Sequence, residues 1–383
     1  LNITVSLLFF GVRHPLAKAY KSLQSLARVG QGRSRNQLEE IMKSLVLHAA
    51  EDLRIEEHSA VEPGAAEVQI RLAAGGICGS DLHYFNHGGF GSVRLREPMI
   101  LGHEVAGYVS AIGTGVAGLE IGQLVAVSPS RPCENCRECL ANLPNHCRNM
   151  RFYGSAMPFP HVQGAFRELL TVDASQCVAA DGLTPSEAAT AEPLSVCLHG
   201  ISRAGSLLGK SVLITGSGPI GVLTCLAALA MGASEVTVTD ISDTALRHAV
   251  KAGADRAINV AGSADDFERL TLGNGSFDIM FECSGAASAL QSAIPAMRPR
   301  GVIVQLGLGP DAPLPLTRIA AKELDLRGSF RFHEEFATAV RLMQKRAIDV
   351  RPLVTHSFPL SDAVAAFQTA SDKSKSMKTQ ILF

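Results

Sequence analysis

The sequence predicts an α/β protein of two parts: a β-rich domain of short strands, and a doubly wound parallel sheet. Three observations support this. Residues 42–196 are rich in Gly and Pro and hold short β-type runs, such as Val68-Gln69-Ile70-Arg71-Leu72 and Leu124-Val125-Ala126-Val127. Short strands with glycine turns make an irregular β domain. From about Leu198 onward, apolar runs alternate with helical stretches, and that alternation implies a parallel sheet covered on both faces. The first of these later runs, Ser211–Thr215, ends in a glycine-rich turn that opens a helix.

The elements follow in order. Residues 1–41 read as a segment apart, with an apolar run at Ile3–Val12 followed by six basic residues before the first acidic one, Glu39. A secretory signal has its positive charge before the apolar run, not after it. Leu38-Glu39-Glu40 is what a purine-rich ribosome-binding site would encode, and Met42 opens an ordinary first strand, Met42-Lys43-Ser44-Leu45-Val46-Leu47. The expectation is that 1–41 is an upstream extension and that Met42 is the native start. Residues 42–196, with 330–383 returning to them, form the β-rich domain. Residues 197–329 form the parallel-sheet domain, with strands at Ser211–Thr215, Glu235–Asp240, Arg256–Asn259, Phe277–Glu282 and Val302–Leu306 and helices at Pro219–Met231 and Thr244–Ala252. A further helix is expected at Glu334–Lys345.

Bulk composition narrows the function. Of the 383 residues, 46% are apolar and 19% charged, as in a globular protein with two cores. A net charge of −1 and no basic run argue against nucleic acid or an anionic membrane as partner. No apolar stretch reaches the ~18 residues that a membrane span needs. Four of nine cysteines crowd into fifteen residues, which suggests a metal site in a reducing compartment, the cytoplasm, rather than a disulfide framework.

Gly216-Ser217-Gly218-Pro219-Ile220-Gly221 has the G-x-G-x-x-G spacing in its required setting, after a strand and before a helix. Gly216 permits the tight turn, Gly218 the approach of a pyrophosphate, and Gly221 close helix–strand packing. Pro219 and Ile220 start the helix, whose free N–H groups face the phosphates. Asp240 ends the second strand, nineteen residues after Gly221. Its carboxylate suits ribose hydroxyls and repels a 2′-phosphate, so NAD is favoured over NADP.

Cys133-x2-Cys136-x2-Cys139-x7-Cys147 supplies four thiolates from one polar loop. Tetrahedral zinc closed by four sulfurs leaves no place for substrate, so this site is structural. A second set is dispersed: Cys78 in Gly75–His83, His103 and Glu104 in Gly102-His103-Glu104-Val105-Ala106-Gly107, and Glu192 in Ala191-Glu192-Pro193. Thiolate, imidazole and carboxylate with one open position is the design of a catalytic zinc. Spacing alone does not pair them.

All of these motifs occur together and in this order, and from Met42 to Phe383 the chain resembles the zinc-containing medium-chain alcohol dehydrogenases, in particular their sorbitol dehydrogenase-like branch. The resemblance implies a GroES-like catalytic domain, a Rossmann NAD-binding domain and two zinc ions per subunit. It implies Cys78 and His103 as catalytic ligands, with either Glu104 or Glu192 as the third. It also implies that the substrate hydroxyl is acidified at the metal and that hydride passes to the nicotinamide. Ser80 would hydrogen-bond the reacting oxygen, and His83 would pass the proton to solvent.

The stretch His83–Gly91, then Arg94-Leu95-Arg96-Glu97-Pro98 and Arg151-Phe152-Tyr153-Gly154-Ser155, resembles the L-idonate 5-dehydrogenase group within that branch. That group interconverts L-idonate and 5-keto-D-gluconate. A sugar acid needs a cation, and bidentate Arg suits a carboxylate best. Arg94, Arg96 and Arg151 are candidates, Tyr84 and Phe152 would line the pocket, and the resemblance places Arg331 near the cofactor or the metal. Two alternatives stand beside this reading: a sorbitol- or xylitol-type polyol dehydrogenase, and an inactive zinc- and nucleotide-binding protein. A homo-oligomer, tetramer or dimer, is expected, with Val302–Leu306 and Gly307-Leu308-Gly309 as its contact.

Overall fold

The computed structural model describes residues 40–262, 264–311 and 313–383. The expectation for residues 1–41 lies outside them except at Glu40 and Ile41, and Ile41 opens the first strand, paired with Ser59. β1 (Ile41–Ala49) and β2 (Asp52–Ser59) form a hairpin, and the short strand Met99–Ile100 completes a three-stranded sheet.

A seven-stranded sheet is built on β3 (Glu67–Gly76). β4 (Glu104–Ile112) pairs along one edge of β3, followed outward by β5 (Leu124–Val127) and, beyond β6 (Leu169–Asp173) in sequence, by β7 (Cys177–Ala179). β6 takes the other edge of β3 at Glu67–Arg71. The inward residues Ile70, Leu72, Val105, Val127 and Phe166 form this domain's core.

The second sheet is parallel throughout. Its strands are β8 (Ser211–Thr215), β9 (Glu235–Asp240), β10 (Arg256–Asn259), β11 (Phe277–Glu282), β12 (Met297–Gln305) and β13 (Asp325–Gly328), in the order β10-β9-β8-β11-β12-β13. The order reverses direction at β8, and in doubly wound sheets ligands bind at that crevice. β8 and β11 are buried on both faces, which is why they read as near-continuous apolar runs. β12, where the subunit contact is expected, is paired on both edges within the chain; the edge strands of this sheet are β10 and β13. Leu308, in the same expected contact, is 78% exposed.

The chain then returns to the first sheet. β14 (Val354–Pro359) and β15 (Lys378–Leu382) add parallel to each other, and β15 pairs with β3 at Ala74–Gly76. Helices complete the frame, among them α1 (Gly79–His87), α2 (Ala191–Ala204), α3 (Pro219–Ala230), α4 (Asp243–Lys251) and α5 (Glu335–Gln344), which packs on α2. Leu194, Leu198 and Ile201 of α2 share one apolar cluster with Ala74 and Ala126 of the first sheet and Val212 and Phe281 of the second. α2 is thus a common wall between the sheets. No helix of the described residues is long and apolar enough to cross a membrane.

Candidate functional site

Strand register builds the candidate metal centre. Gly76 at the end of β3 pairs with Glu104 at the start of β4, so the loops leaving and entering these strands meet. Those loops carry Cys78 and His103. The ligand atoms of Cys78, His103 and Glu104 lie within 4.8 Å of one another. Two ligands on one tetrahedral zinc stand roughly 3–4 Å apart, given bonds of about 2.0–2.3 Å. Gly76 has a specific reason to be glycine: a Cβ there would stand 2.0 Å from Glu104 Oε2.

The donor set fits a divalent cation on a second ground. His103 is buried and its Nδ1 has no hydrogen-bond partner. Burial works against its positive form, yet the charges of Asp81, Cys78 and Glu192 lift its pKa well above 6.5. A pocket negative enough to protonate its own buried imidazole is a pocket suited to a cation. Glu192 sits in the first turn of α2 and is buried; burial pushes its carboxyl up to about 7.

Two residues of this centre were absent from the sequence reading. Asp81 is fully buried: Oδ2 accepts the Cys78 N–H (3.0 Å), Oδ1 accepts the Gly102 N–H (3.1 Å), and Oδ1 stands 3.7 Å from His103 Nδ1. Its signal was local, an acid three residues after Cys78 in the first turn of a helix. Lys378 of β15 donates to both oxygens of Glu104 (2.8 Å each) and to Ile77 O (3.2 Å). It had no local signal, because its partner is 274 residues away.

Ser80 and His83 both lie on α1, three residues apart and hence on neighbouring positions of one face. Ser80 is half-buried and His83 exposed. Burial, then the charges of His87 and Lys373, hold the His83 pKa below 6.5, so its ring is neutral at neutral pH. Tyr84 is buried, and its hydroxyl accepts the Ala156 N–H at 3.1 Å.

The arginines separate. Arg94 donates to Gly91 O and Val93 O of its own loop, Arg96 stacks over Phe159 at 4.2 Å, and Arg151 is exposed. Of the four, Arg331 is linked to the candidate metal centre through Phe152. Its guanidinium lies over Phe152 (4.6 Å) and Phe330 (4.9 Å), and the Phe152 ring is 5.5 Å from that of His103. Burial lowers the Arg331 pKa, with Glu192 among the charges that oppose the shift.

The four lobe sulfurs of Cys133, Cys136, Cys139 and Cys147 also lie within 4.8 Å of one another, with Cys133–Cys147 at 3.4 Å and Cys136–Cys139 at 3.5 Å. The Asn135 N–H leads the contacts that bring Cys133 down to about 6. Burial shifts Cys139 and Cys147 the other way, so it is the convergence of four sulfurs that fits a closed tetrahedral metal.

At the nucleotide turn, Gly216 has φ 90°, and a Cβ at Gly221 would lie 1.8 Å from Gly216 O. A Cβ at Gly218 would meet nothing within 4 Å, so space is open above the turn. Pro219 and Ile220 form the first turn of α3, capped at Gly218. Asp240 accepts the Ser217 N–H (2.7 Å) and the Ser242 N–H (2.9 Å), which holds its carboxylate beside the turn.

Comparison with known proteins adds to this geometry. Residues 64–182 match the alcohol dehydrogenase GroES-like domain, and residues 219–345 match the zinc-binding dehydrogenase family. The chain is 41% identical over 316 residues to L-idonate 5-dehydrogenase (NAD(P)(+)) of Escherichia coli K12, covering 82% of this chain and 91% of that one. It is 38% identical over 331 residues to human sorbitol dehydrogenase, covering 85% and 92%. The crystal structure of the E. coli L-idonate 5-dehydrogenase superposes with a TM-score of 0.86 at 38% identity, covering 90% of this chain and 99% of that one.

Proposed function

The chain belongs to the zinc-binding medium-chain dehydrogenases, oxidoreductases acting on CH–OH donors, and from that premise we propose that it oxidises the sugar acid L-idonate to 5-keto-D-gluconate with NAD as acceptor. The coarser statement, a zinc-dependent polyol or sugar dehydrogenase, follows from the family and its relatives. The finer one rests on a single observation: the Arg331 guanidinium lies over Phe152, whose ring packs against that of His103, and it also contacts Phe330 and the Met157 sulfur. None of these direct contacts is an anion, and the Glu192 charge reaches Arg331 without an ion pair among the described residues, so a substrate carboxylate is a fitting partner.

In this reading Cys78 and His103 hold the catalytic zinc, with Glu104 as third ligand and Glu192 facing the substrate side. The four-cysteine lobe holds a second, structural zinc. A zinc held there would supply acidification of the substrate hydroxyl, and a bound nicotinamide would supply the hydride acceptor. Ser80 accepts the departing proton's hydrogen bond, and neutral His83, exposed on the same helix, delivers the proton to water. Tyr84, held by the Ala156 N–H, and Phe152 shape the pocket wall. Gly218 and the α3 N-terminus would hold the pyrophosphate, and Asp240 would favour NAD over NADP by repelling a 2′-phosphate. The domains are residues 42–196 with 330–383, and 197–329. The enzyme works in the cytoplasm, where thiolates persist, as a homo-oligomer whose contact includes the exposed Leu308.

NAD reduction with L-idonate, sorbitol and xylitol side by side tests this. Turnover of L-idonate with a kcat/KM at least about tenfold above the neutral polyols is expected, a ratio worth ~1.4 kcal/mol of carboxylate recognition. Preference for sorbitol would favour the polyol reading that the 38% identity to human sorbitol dehydrogenase also supports.

A further inference from the structure

Arg331 is held in place by the four-cysteine lobe. Between Cys139 and Cys147 the chain makes a short turn, Pro144–His146. Asn145 of that turn is buried, and its Nδ2 donates to Phe330 O at 3.0 Å. The His146 ring stacks on Phe330 with centroids 5.8 Å apart and planes at 28°. Phe330 is the residue before Arg331 and also one face of the stack on its guanidinium. The other face comes from the opposite flank of the lobe: Phe152 is in the short strand Arg151–Phe152, which pairs with Ser130–Arg131 just before Cys133. Both walls of the guanidinium clamp are therefore anchored on the two ends of the metal lobe.

The backbone gives a reason for the anchoring. Arg331 has φ 56°, a left-handed conformation that a non-glycine residue adopts at a cost. Such a residue keeps its conformation only where neighbours over-determine it. Asn145 fixes the carbonyl before it, and His146 fixes the ring before it. A long flexible arginine at the point where the chain re-enters the first domain thus becomes a preoriented one.

We propose that the four-cysteine lobe is a specificity element: through Asn145 and His146 it positions Arg331 to read the substrate carboxylate, so metal in the lobe and anion in the pocket are thermodynamically coupled. This rests on Arg331 as the carboxylate contact, stated above. Asn145 and His146 are positioning residues; they touch neither substrate nor cofactor. Coupling is reciprocal, so an anion that favours the ordered Arg331 must tighten the lobe's hold on its metal.

The metal-loaded full-length protein tests this with Arg331→Gln, His146→Ala, His146→Phe and Asn145→Ala. His146 is exposed, so its truncation leaves the core packed. R331Q raises the KM for L-idonate. H146A and N145A raise it by about fivefold or more, the lower end of ordinary coupling between sites, with kcat at saturation unchanged. H146F keeps a ring face and restores the wild-type KM. A second readout needs no turnover. With a chelator and iodoacetamide present, alkylation of Cys133–Cys147 is followed by mass spectrometry. Saturating 5-keto-D-gluconate slows it in wild type and has no effect in R331Q. If R331Q leaves the KM unchanged, the carboxylate reading fails and takes the coupling with it. If R331Q raises the KM while H146A and N145A do not, or lobe alkylation ignores 5-keto-D-gluconate in wild type, the coupling fails alone.

Discussion

Asp81 ties two loops together with one carboxylate. It accepts the N–H of Cys78 and of Gly102 and faces His103, so it sets the separation of the thiolate and imidazole before any metal arrives. Partners of this kind orient a ligating histidine and raise its basicity, and losing one costs about 10–100-fold in metal affinity. Asp81→Asn preserves the shape but turns one acceptor into a donor that faces N–H groups. We predict a loss of zinc affinity in that range, measured by competition with a chromogenic chelator, and stability lower by roughly 1–3 kcal/mol from the unmatched buried donor. Wild-type affinity in D81N would remove Asp81 from the site. The ligand motifs themselves were legible because cysteine and histidine in glycine-flanked loops stand out by type and spacing. Asp81 was not, because an acid at a helix start has a commoner reading as a cap. The sequence offered Arg94, Arg96 and Arg151 for the carboxylate and set Arg331 apart, near the cofactor or the metal, by resemblance alone; tertiary packing is what turns the choice from Arg94, whose guanidinium is satisfied by its own loop, to Arg331.

At the scale of elements, β8, the glycine turn and α3 form the part of the fold most legible from sequence. Every contact that defines it is local: the turn, the helix start and the acid at the end of β9 fall within thirty residues. The structure also assigns different work to its glycines. Gly221 is required by packing, since a methyl group would overlap Gly216 O at 1.8 Å. Gly218 has φ −72° and open space where its Cβ would stand, so nothing in the protein forbids alanine there. Gly218→Ala should therefore melt like wild type while its KM for NAD rises by about tenfold or more, because the methyl fills the room a pyrophosphate needs. Gly221→Ala should lose roughly 3 kcal/mol or more of stability, since the overlap is with backbone that cannot rotate away. Equal melting temperatures and equal KM values for NAD in G218A and wild type would mean that no phosphate lies over this turn. The β-rich domain was legible only as a texture of short strands. Its pairing depends on register between β3, β4 and β15, which no local pattern encodes.

The whole chain is needed to complete one charge pair. β15 comes from the last residues, after the chain has crossed the entire parallel sheet, yet it lies against β3 and delivers Lys378 to Glu104. Both groups are buried. Burial favours neutral lysine, but the charges of Glu104 and Cys78 overcome it and raise the Lys378 pKa above 10.5. Breaking such a pair from one side leaves an uncompensated buried charge and costs about 3–5 kcal/mol, whereas replacing both partners is far milder. Lys378→Met alone should lower the urea-unfolding free energy by that amount, while Glu104→Gln combined with Lys378→Met should recover more than half of the loss. The double-mutant cycle isolates the pair because neither substitution adds a charge. Additive losses in the double variant would show that Glu104 and Lys378 act independently, and that the C-terminal return stabilises the centre only through its strand pairing. A non-additive recovery would mean that the candidate metal loop is held ready by a residue from the last strand of the first sheet, so the C-terminal return contributes a charge partner to the centre and not only a strand.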